Sequence, residues 1–231
     1  MRMSEDPLAL PQPRPRLTLW ITLVVIALTI IGSLVYHYVK WKKWEAEWVR
    51  LGPIEASGGL FIAPRIEIPV PLFRQSDERW AEDTLAKGPT TMAQEGCAVS
   101  SAAMVLASYG IDIDPGRLNK ALTENDGYEG TSWIRWEKAA EVTGNVTEKA
   151  YEDLPSYQLI DLNLQQRNPV IVRVRSKNGG THFVVIVGKD GYDYLTRDPG
   201  AGSEKGVYPL KDYGSKIEAL RFYRRLKQPS A

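Results

Sequence analysis

Cysteine is nearly absent from this chain: its 231 residues hold one, Cys97, together with two histidines, His37 and His182. One cysteine forms no intramolecular disulfide, so cysteine usage does not choose between a reducing and an oxidising compartment. There is no Cys/His cluster with ligand spacing, so a metal has no support, and nothing else in the chain demands a cofactor. Charge of one sign is not in excess either. With 29 basic and 28 acidic residues the net charge is +1, which removes the electrostatic pull toward nucleic acid. No phosphate-binding loop of the nucleoside triphosphatase type occurs. The 43% of apolar residues is ordinary for a globular protein, and the length allows one domain of common size plus an additional segment.

The additional segment lies at the N-terminus. Residues 17–39 contain no Asp, Glu, Lys or Arg, and their number matches a helix crossing a bilayer core of about 30 Å. A cleaved signal peptide would have a shorter apolar stretch of about 7 to 15 residues ending in a small-x-small site, whereas here the chain runs on as Tyr36-His37-Tyr38-Val39-Lys40-Trp41. The reading is a single transmembrane helix. Trp20 near one end and Tyr36, Tyr38, Trp41, Trp44 and Trp48 near the other suit the interfacial aromatic belts, which makes His37 an interfacial residue. Orientation is nearly a tie, with Arg2, Arg14 and Arg16 on one flank and Lys40, Lys42, Lys43 and Arg50 on the other. The expectation is a signal anchor with its short tail in the cytoplasm and the larger domain outside it.

Around this helix the chain divides into a disordered tail at 1–16, rich in proline and charge, the membrane helix at 17–39, a juxtamembrane segment and linker at 40–72, a globular domain at 73–226 and a tail at 227–231. Trp41, Trp44 and Trp48 recur at helical spacing. Gly52-Pro53, Gly58-Gly59, Pro64, Pro69 and Pro71 punctuate the linker, with one short extended piece expected at 65–70.

Within the domain, helices are expected at 97–109, closed by Gly110; from the Asp114-Pro115 start to about 124; over 131–142; and over 157–167. The character then switches. Val170 to Arg175 and Thr181 to Val187 are β-branched runs separated by Asn178-Gly179-Gly180, Lys189-Asp190-Gly191 makes the next turn, and further strands are expected at 192–197, 207–208 and 217–223. Helices followed by strands imply an α+β domain, with the helices packed on an antiparallel sheet.

Cys97 stands in Gln94-Glu95-Gly96-Cys97-Ala98-Val99-Ser100, where a glycine turn opens a small-residue helix. A cysteine in an Ala- and Val-rich helix is ordinarily a small core hydrophobe. At the first turn of a helix, however, unpaired N–H groups and the macrodipole favour an anion, here a thiolate. His182, the one histidine clear of the membrane segment, heads the apolar run Phe183-Val184-Val185-Ile186-Val187, and Asp198-Pro199-Gly200 follows after one strand and one turn. A lone cysteine at a helix start, a distant histidine and a carboxylate form the pattern of a nucleophile, its base and an orienting group.

Several motifs in order, Gln75-Ser76-Asp77-Glu78-Arg79-Trp80, then Gly96-Cys97-Ala98-Val99-Ser100 with Met104-Val105-Leu106 and Tyr109-Gly110, then Pro169-Val170-Ile171-Val172, Thr181-His182-Phe183-Val184-Val185 and Asp198-Pro199, resemble the peptidase C39-like family over residues 70–200. The resemblance implies a papain-like cysteine peptidase fold. It also implies Cys97 as nucleophile, His182 as base and acid, Asp198 as orienter of the imidazole, and Gln75 as side-chain donor of the oxyanion hole. Gln94, three residues before the cysteine, remains an alternative donor, and Asp193 is a lesser competitor for the orienting role. Gly96, with Glu95 before it, departs from the bacteriocin-leader branch of the superfamily, and neither a transporter nor a nucleotide-binding loop is present, so double-glycine specificity is not implied.

Trp133 and Trp136 read as core or packing residues, Asp190 as a turn residue, and the basic run 221–227 as a solvated face. The expected activity is hydrolysis of a peptide or amide bond in a peptide or protein substrate through an acyl-enzyme at Cys97. Acyl transfer to an amine by the same residues is one alternative, and a tethered, non-catalytic binding module is the other. Membrane contact through residues 17–39 is expected, nucleic acid is not, and the oligomeric state is left open.

Overall fold

The computed structural model describes residues 15–48, 52–144 and 146–226, so the tail expectations for 1–14 and 227–231 lie outside the described residues. Two compact units emerge, Met1–Arg50 and Leu51–Ala231. The first is the helix α1 (Pro15–Trp48). Its Leu19–Lys40 stretch has a mean hydropathy of 2.4 and exposes its apolar side chains, so it is long and apolar enough to cross a membrane. The side chains of Trp41, Trp44 and Trp48, expected to share one face, lie outside the described ones.

The second unit is the expected α+β arrangement. Short α2 (Met92–Glu95) leads through Gly96 into α3 (Cys97–Ser108), whose residues from Cys97 to Leu106 are all buried, the mark of a helix enclosed on every side. A Cβ at Gly96 would stand 2.4 Å from the Met92 carbonyl oxygen, so only glycine fits this junction. Asp114 caps α4 (Pro115–Glu124) by accepting from the Arg117 N–H at 2.9 Å. Ser156 caps α6 (Tyr157–Gln165). Each cap meets an N–H that has no carbonyl within its own helix.

The helix expected over 131–142 is shorter. A two-strand hairpin, β2 (Tyr128–Glu129) and β3 (Trp133–Ile134), comes first, and α5 runs only over Trp136–Glu141. The residues with helical spacing, Trp136, Ala139 and Ala140, are the buried ones, while Ile134 is buried from the hairpin. Trp133 does not share that periodicity.

The sheet orders β1 (Ser57–Glu67), β6 (Thr181–Arg197), β5 (Val170–Arg175), β8 (Ala219–Arg225) and β4 (Thr147–Asp153), all antiparallel, with β7 (Tyr208–Pro209) also on β6. Although β6 is one continuous hydrogen-bonded element, it reverses direction. Thr196 Oγ1 donates to the Val185 carbonyl at 3.0 Å, the midpoint of that pair falls at the expected Asp190-Gly191 turn, and Gly191 has φ +58°, the backbone that Asp-Gly hairpins use.

Three expectations need correction. The stretch read as linker carries β1, an edge strand on the turn region of β6, because its glycines accommodate close approach. At Gly59, φ +70°, a Cβ would meet Asp161 at 2.3 Å. The basic run 221–227 is not a solvated face over its first part: Arg221, Phe222 and Tyr223 are buried in β8. Last, β4 was not anticipated at all, being a charged edge strand whose polar residues keep it from pairing further.

A polar cluster fixes β1. Lys189 and Asp161 are fully buried and paired at 2.6 Å. Lys189 Nζ also donates to the Gly58 carbonyl at 2.7 Å, Tyr194 OH donates to Asp161 at 3.0 Å, and the Leu60 N–H donates to the other carboxylate oxygen at 2.6 Å. Burial pushes the Lys189 ammonium below its ordinary range despite the neighbouring carboxylate.

Candidate active site

The order of the elements brings Cys97 and His182 together. Cys97 opens α3, His182 lies in the outgoing arm of β6, and one turn further along α3 Ser101 Oγ donates to the carbonyl of Phe183 at 3.2 Å. This bond fixes the helix start against the His182 strand. The Cys97 thiol and the imidazole border the same cavity, and the sulfur is among the groups that raise the imidazole's proton affinity. As the first residue of its helix, Cys97 also presents a backbone N–H with no intrahelical acceptor.

His182 Nε2 lies 2.7 Å from Asp198 Oδ1. Nε2 being engaged, Nδ1 is the ring nitrogen left for the sulfur. Asp198 is almost completely buried and is held from several directions. Oδ1 accepts from the Gly200 N–H at 2.7 Å, and Oδ2 accepts from the Gly202 N–H at 3.1 Å and Tyr208 OH at 3.2 Å. Burial alone would raise this carboxyl, but the bonds and charge from His182, together with the Gly200 and Tyr208 donors, bring it below the usual carboxylate range. Burial alone would likewise lower His182, yet Asp198 and Cys97 outweigh it and raise the imidazole to about 9.

Two tyrosines that sequence reasoning missed complete this corner. Tyr208 donates to Asp198, and Tyr213 stacks on the imidazole with ring centroids 5.8 Å apart and planes 8° from parallel. The Tyr213 phenol is pushed up to about 12 by burial and by the nearby Asp198 and Cys97. Neither has a positional signature in the sequence. The only available signal was Asp198-Pro199-Gly200-Ala201-Gly202, whose glycines permit close approach. A Cβ at Gly200 would meet His182 Cε1 at 2.8 Å, and one at Gly202 would meet Asp198 Oδ2 at 2.3 Å.

Gln75 is bracketed by the two halves of the site. Its N–H donates to the Pro199 carbonyl and its Nε2 to the Ala93 carbonyl, both at 2.8 Å, and the carboxamide has a second N–H to offer. Gln94 Oε1 instead accepts from the Thr91 N–H at 3.0 Å, capping α2. Asp193, the competitor for the orienting role, pairs elsewhere with Ser57 and Lys211.

Gln75, Gln94, Cys97 and His182 all border one cavity of about 550 Å³. The pair of tryptophans divides here. Trp136 is buried as expected, whereas Trp133 is 55% exposed on the cavity rim and is not a core residue.

A family model described as the Peptidase_C39 like family matches residues 67–230. The chain belongs to the peptidase C39-like family. A solved structure, of a C39-like peptidase from Bacillus anthracis, is 19% identical, with the alignment covering 71% of this chain and 99% of that one at a TM-score of 0.46. No curated protein matches the chain. In this C39-like chain a thiol, an imidazole and a carboxamide border one cavity, with the Asp198 carboxylate behind the imidazole.

Proposed function

We propose that this protein is a membrane-anchored cysteine hydrolase that cleaves a peptide or amide bond through an acyl-enzyme at Cys97. The observation that carries this reading is that Cys97 and His182 border one cavity of a C39-like domain, with Asp198 2.7 Å behind the imidazole. The Cys97 thiolate attacks the carbonyl carbon, forming a C–S bond as the carbonyl π bond opens to an oxyanion. In this reading the Cys97 N–H and the second Gln75 N–H serve as donors to that oxygen. When the intermediate collapses, the C–N bond breaks and the leaving amine takes a proton from the His182 imidazolium. Water then attacks the thioester and gives His182 a proton, and the thiolate departs. Asp198 keeps the proton-bearing Nε2 in place throughout. Gln75 is preferred over Gln94 because its Nε2 is held at the Ala93 carbonyl with one N–H left over, whereas the Gln94 carboxamide is drawn back onto its own helix start through Oε1.

The anchor assignment rests on α1, which runs unbroken over Pro15–Trp48 and exceeds a signal-peptide apolar region. In this reading the C39-like domain lies outside the cytoplasm, as for a signal anchor with a short internal tail.

The deciding experiment treats the full-length protein in detergent at neutral pH with a limiting thiol alkylator. Cys97 should be labelled quickly in wild type and slowly in His182→Ala. Equal rates would end the hydrolase reading. Reporter fusions following residue 226 should be active outside the cytoplasm only, and carbonate washing should leave the protein in the membrane.

A further inference from the structure

The cavity beside Cys97 has an unusual division of chemistry. Its floor is aromatic: Trp136 and Phe183 meet edge to face with ring centroids 5.3 Å apart. Behind them the buried Arg221 guanidinium lies 4.9 Å from each ring and 3.4 Å from Glu152, so the two rings are backed by a charged plug and cannot withdraw. One rim is Trp133, carried by the β2–β3 hairpin, whose next residue Ile134 is buried. The other rim is the β5–β6 turn, contributing Ser176, Asn178 and Gly180. This turn is closed by the Ser176 N–H donating to the Gly180 carbonyl at 2.9 Å. Among the described lining residues there is no Lys or Arg, and the one carboxylate is Glu95.

We infer that this cavity is a specificity pocket for an aromatic or large aliphatic side chain of the substrate, one close to the reacting carbonyl, and that Trp133 is the residue that closes over it. The inference rests on the hydrolase reading for its substrate class. Trp133 is exposed on the same cavity as the Trp136 and Phe183 rings and Cys97, so its indole extends that aromatic lining toward solvent. The polar rim opposite suits the backbone N–H and C=O groups of an extended peptide, as ligand pockets pair an apolar interior with a few polar groups. Glu95 disfavours acidic side chains.

The test separates binding from chemistry. Full-length Cys97→Ala protein in detergent is titrated calorimetrically with acetylated, amidated tripeptides whose central residue is Phe, Leu, Ala or Glu. The Phe and Leu peptides should bind about tenfold or more tightly than Ala, with Glu weakest, the range expected for filling an apolar pocket. Trp133→Ala in the same background should reduce the Phe to Ala ratio severalfold, and Trp133→Phe should retain most of it. Equal affinities across the peptides, absence of binding, or a ratio unmoved in Trp133→Ala would each overturn the inference. The hydrolase reading is judged separately, by the His182 dependence of Cys97 alkylation. A selective pocket with no such dependence would leave the pocket standing and remove the hydrolase.

Discussion

His182 lies in β6 and Asp198 just past its end, 16 residues apart in the chain, yet their side chains meet at 2.7 Å. A straight strand of that length would separate them by about 50 Å. The reversal at Asp190-Gly191 is therefore as necessary to the pair as either member of it.

Replacing the carboxylate with an amide is the direct probe of this relationship. Asp198→Asn would set an NH2 group either against the Gly200 N–H and His182 Nε2 or against the Gly202 N–H and Tyr208 OH, so a carboxamide meets a donor with a donor in either orientation. Activity should fall on the order of 100-fold or more, in line with the loss of positioned proton transfer. The alkylation rate of Cys97 and, once a substrate is in hand, kcat/KM are the measurements.

Gly200→Ala should act on the same ring from the side. The new methyl would stand 2.8 Å from His182 Cε1, and the imidazole must shift to admit it. A displacement near 1 Å can cost about 100-fold in rate. Alkylation should slow accordingly, while the circular dichroism spectrum is kept.

The raised proton affinity of His182 gives a titration with a definite sign. Its Cε1 proton resonance should titrate near pH 9 in wild type, and below the ordinary value of about 6.5 in Asp198→Asn with Cys97→Ala, where both raising partners are gone and burial acts unopposed. Because the folded protein holds this proton more tightly than the unfolded chain does, the contribution of His182 to stability is complete below about pH 6.5 and is lost as pH rises through about 9. A wild-type midpoint below 7 would contradict the geometry.

Loss of Gln75 should slow chemistry without disturbing the nucleophile's partner. Gln75→Ala removes one oxyanion donor, worth about 100- to 1000-fold in kcat, while Gln94→Ala, which loses the α2 cap, should lower thermal stability more than turnover. If Gln94→Ala gave the larger loss of kcat at unchanged stability, the two roles would be exchanged.

The buried Lys189–Asp161 pair should be expensive to break. Lys189→Met leaves a fully buried carboxylate without its cation, a change that costs about 3 to 5 kcal/mol. Thermal unfolding should show a fall of many degrees, and release of β1 should appear as faster amide exchange at Leu60, whose N–H donates to Asp161.

Much of the fold was legible because local signals agreed. The Asp114-Pro115 start of α4, the β-branched runs of β5 and β6 and the Asp190-Gly191 reversal each carry their own physical signature. The four polar positions around the cavity could be named because Cys97 and His182 have so few rivals in the chain. What stayed hidden depends on distant partners. β1 is written in glycine and proline, which usually interrupt strands, and it pairs only because Asp161 and Lys189 wait at the other side. Arg221 reads as surface charge, and its burial follows from the rings of Trp136 and Phe183. Trp133 sits among apolar neighbours, but a hairpin turns it away from them. Tyr208 and Tyr213 reach the site from a short strand and a 3₁₀ turn with no periodicity to announce them.

The cradle around Asp198 has a final consequence. Two of its donors are backbone amides of a glycine loop and a third is a tyrosine hydroxyl, so the anion is held by groups that do not themselves change protonation near neutrality. An imidazole that gains and loses a proton beside it meets the same negative charge at the same place in both states. Little solvent or side-chain rearrangement has to accompany each proton movement, and the stationary partner, not the mobile one, sets the geometry of the cycle.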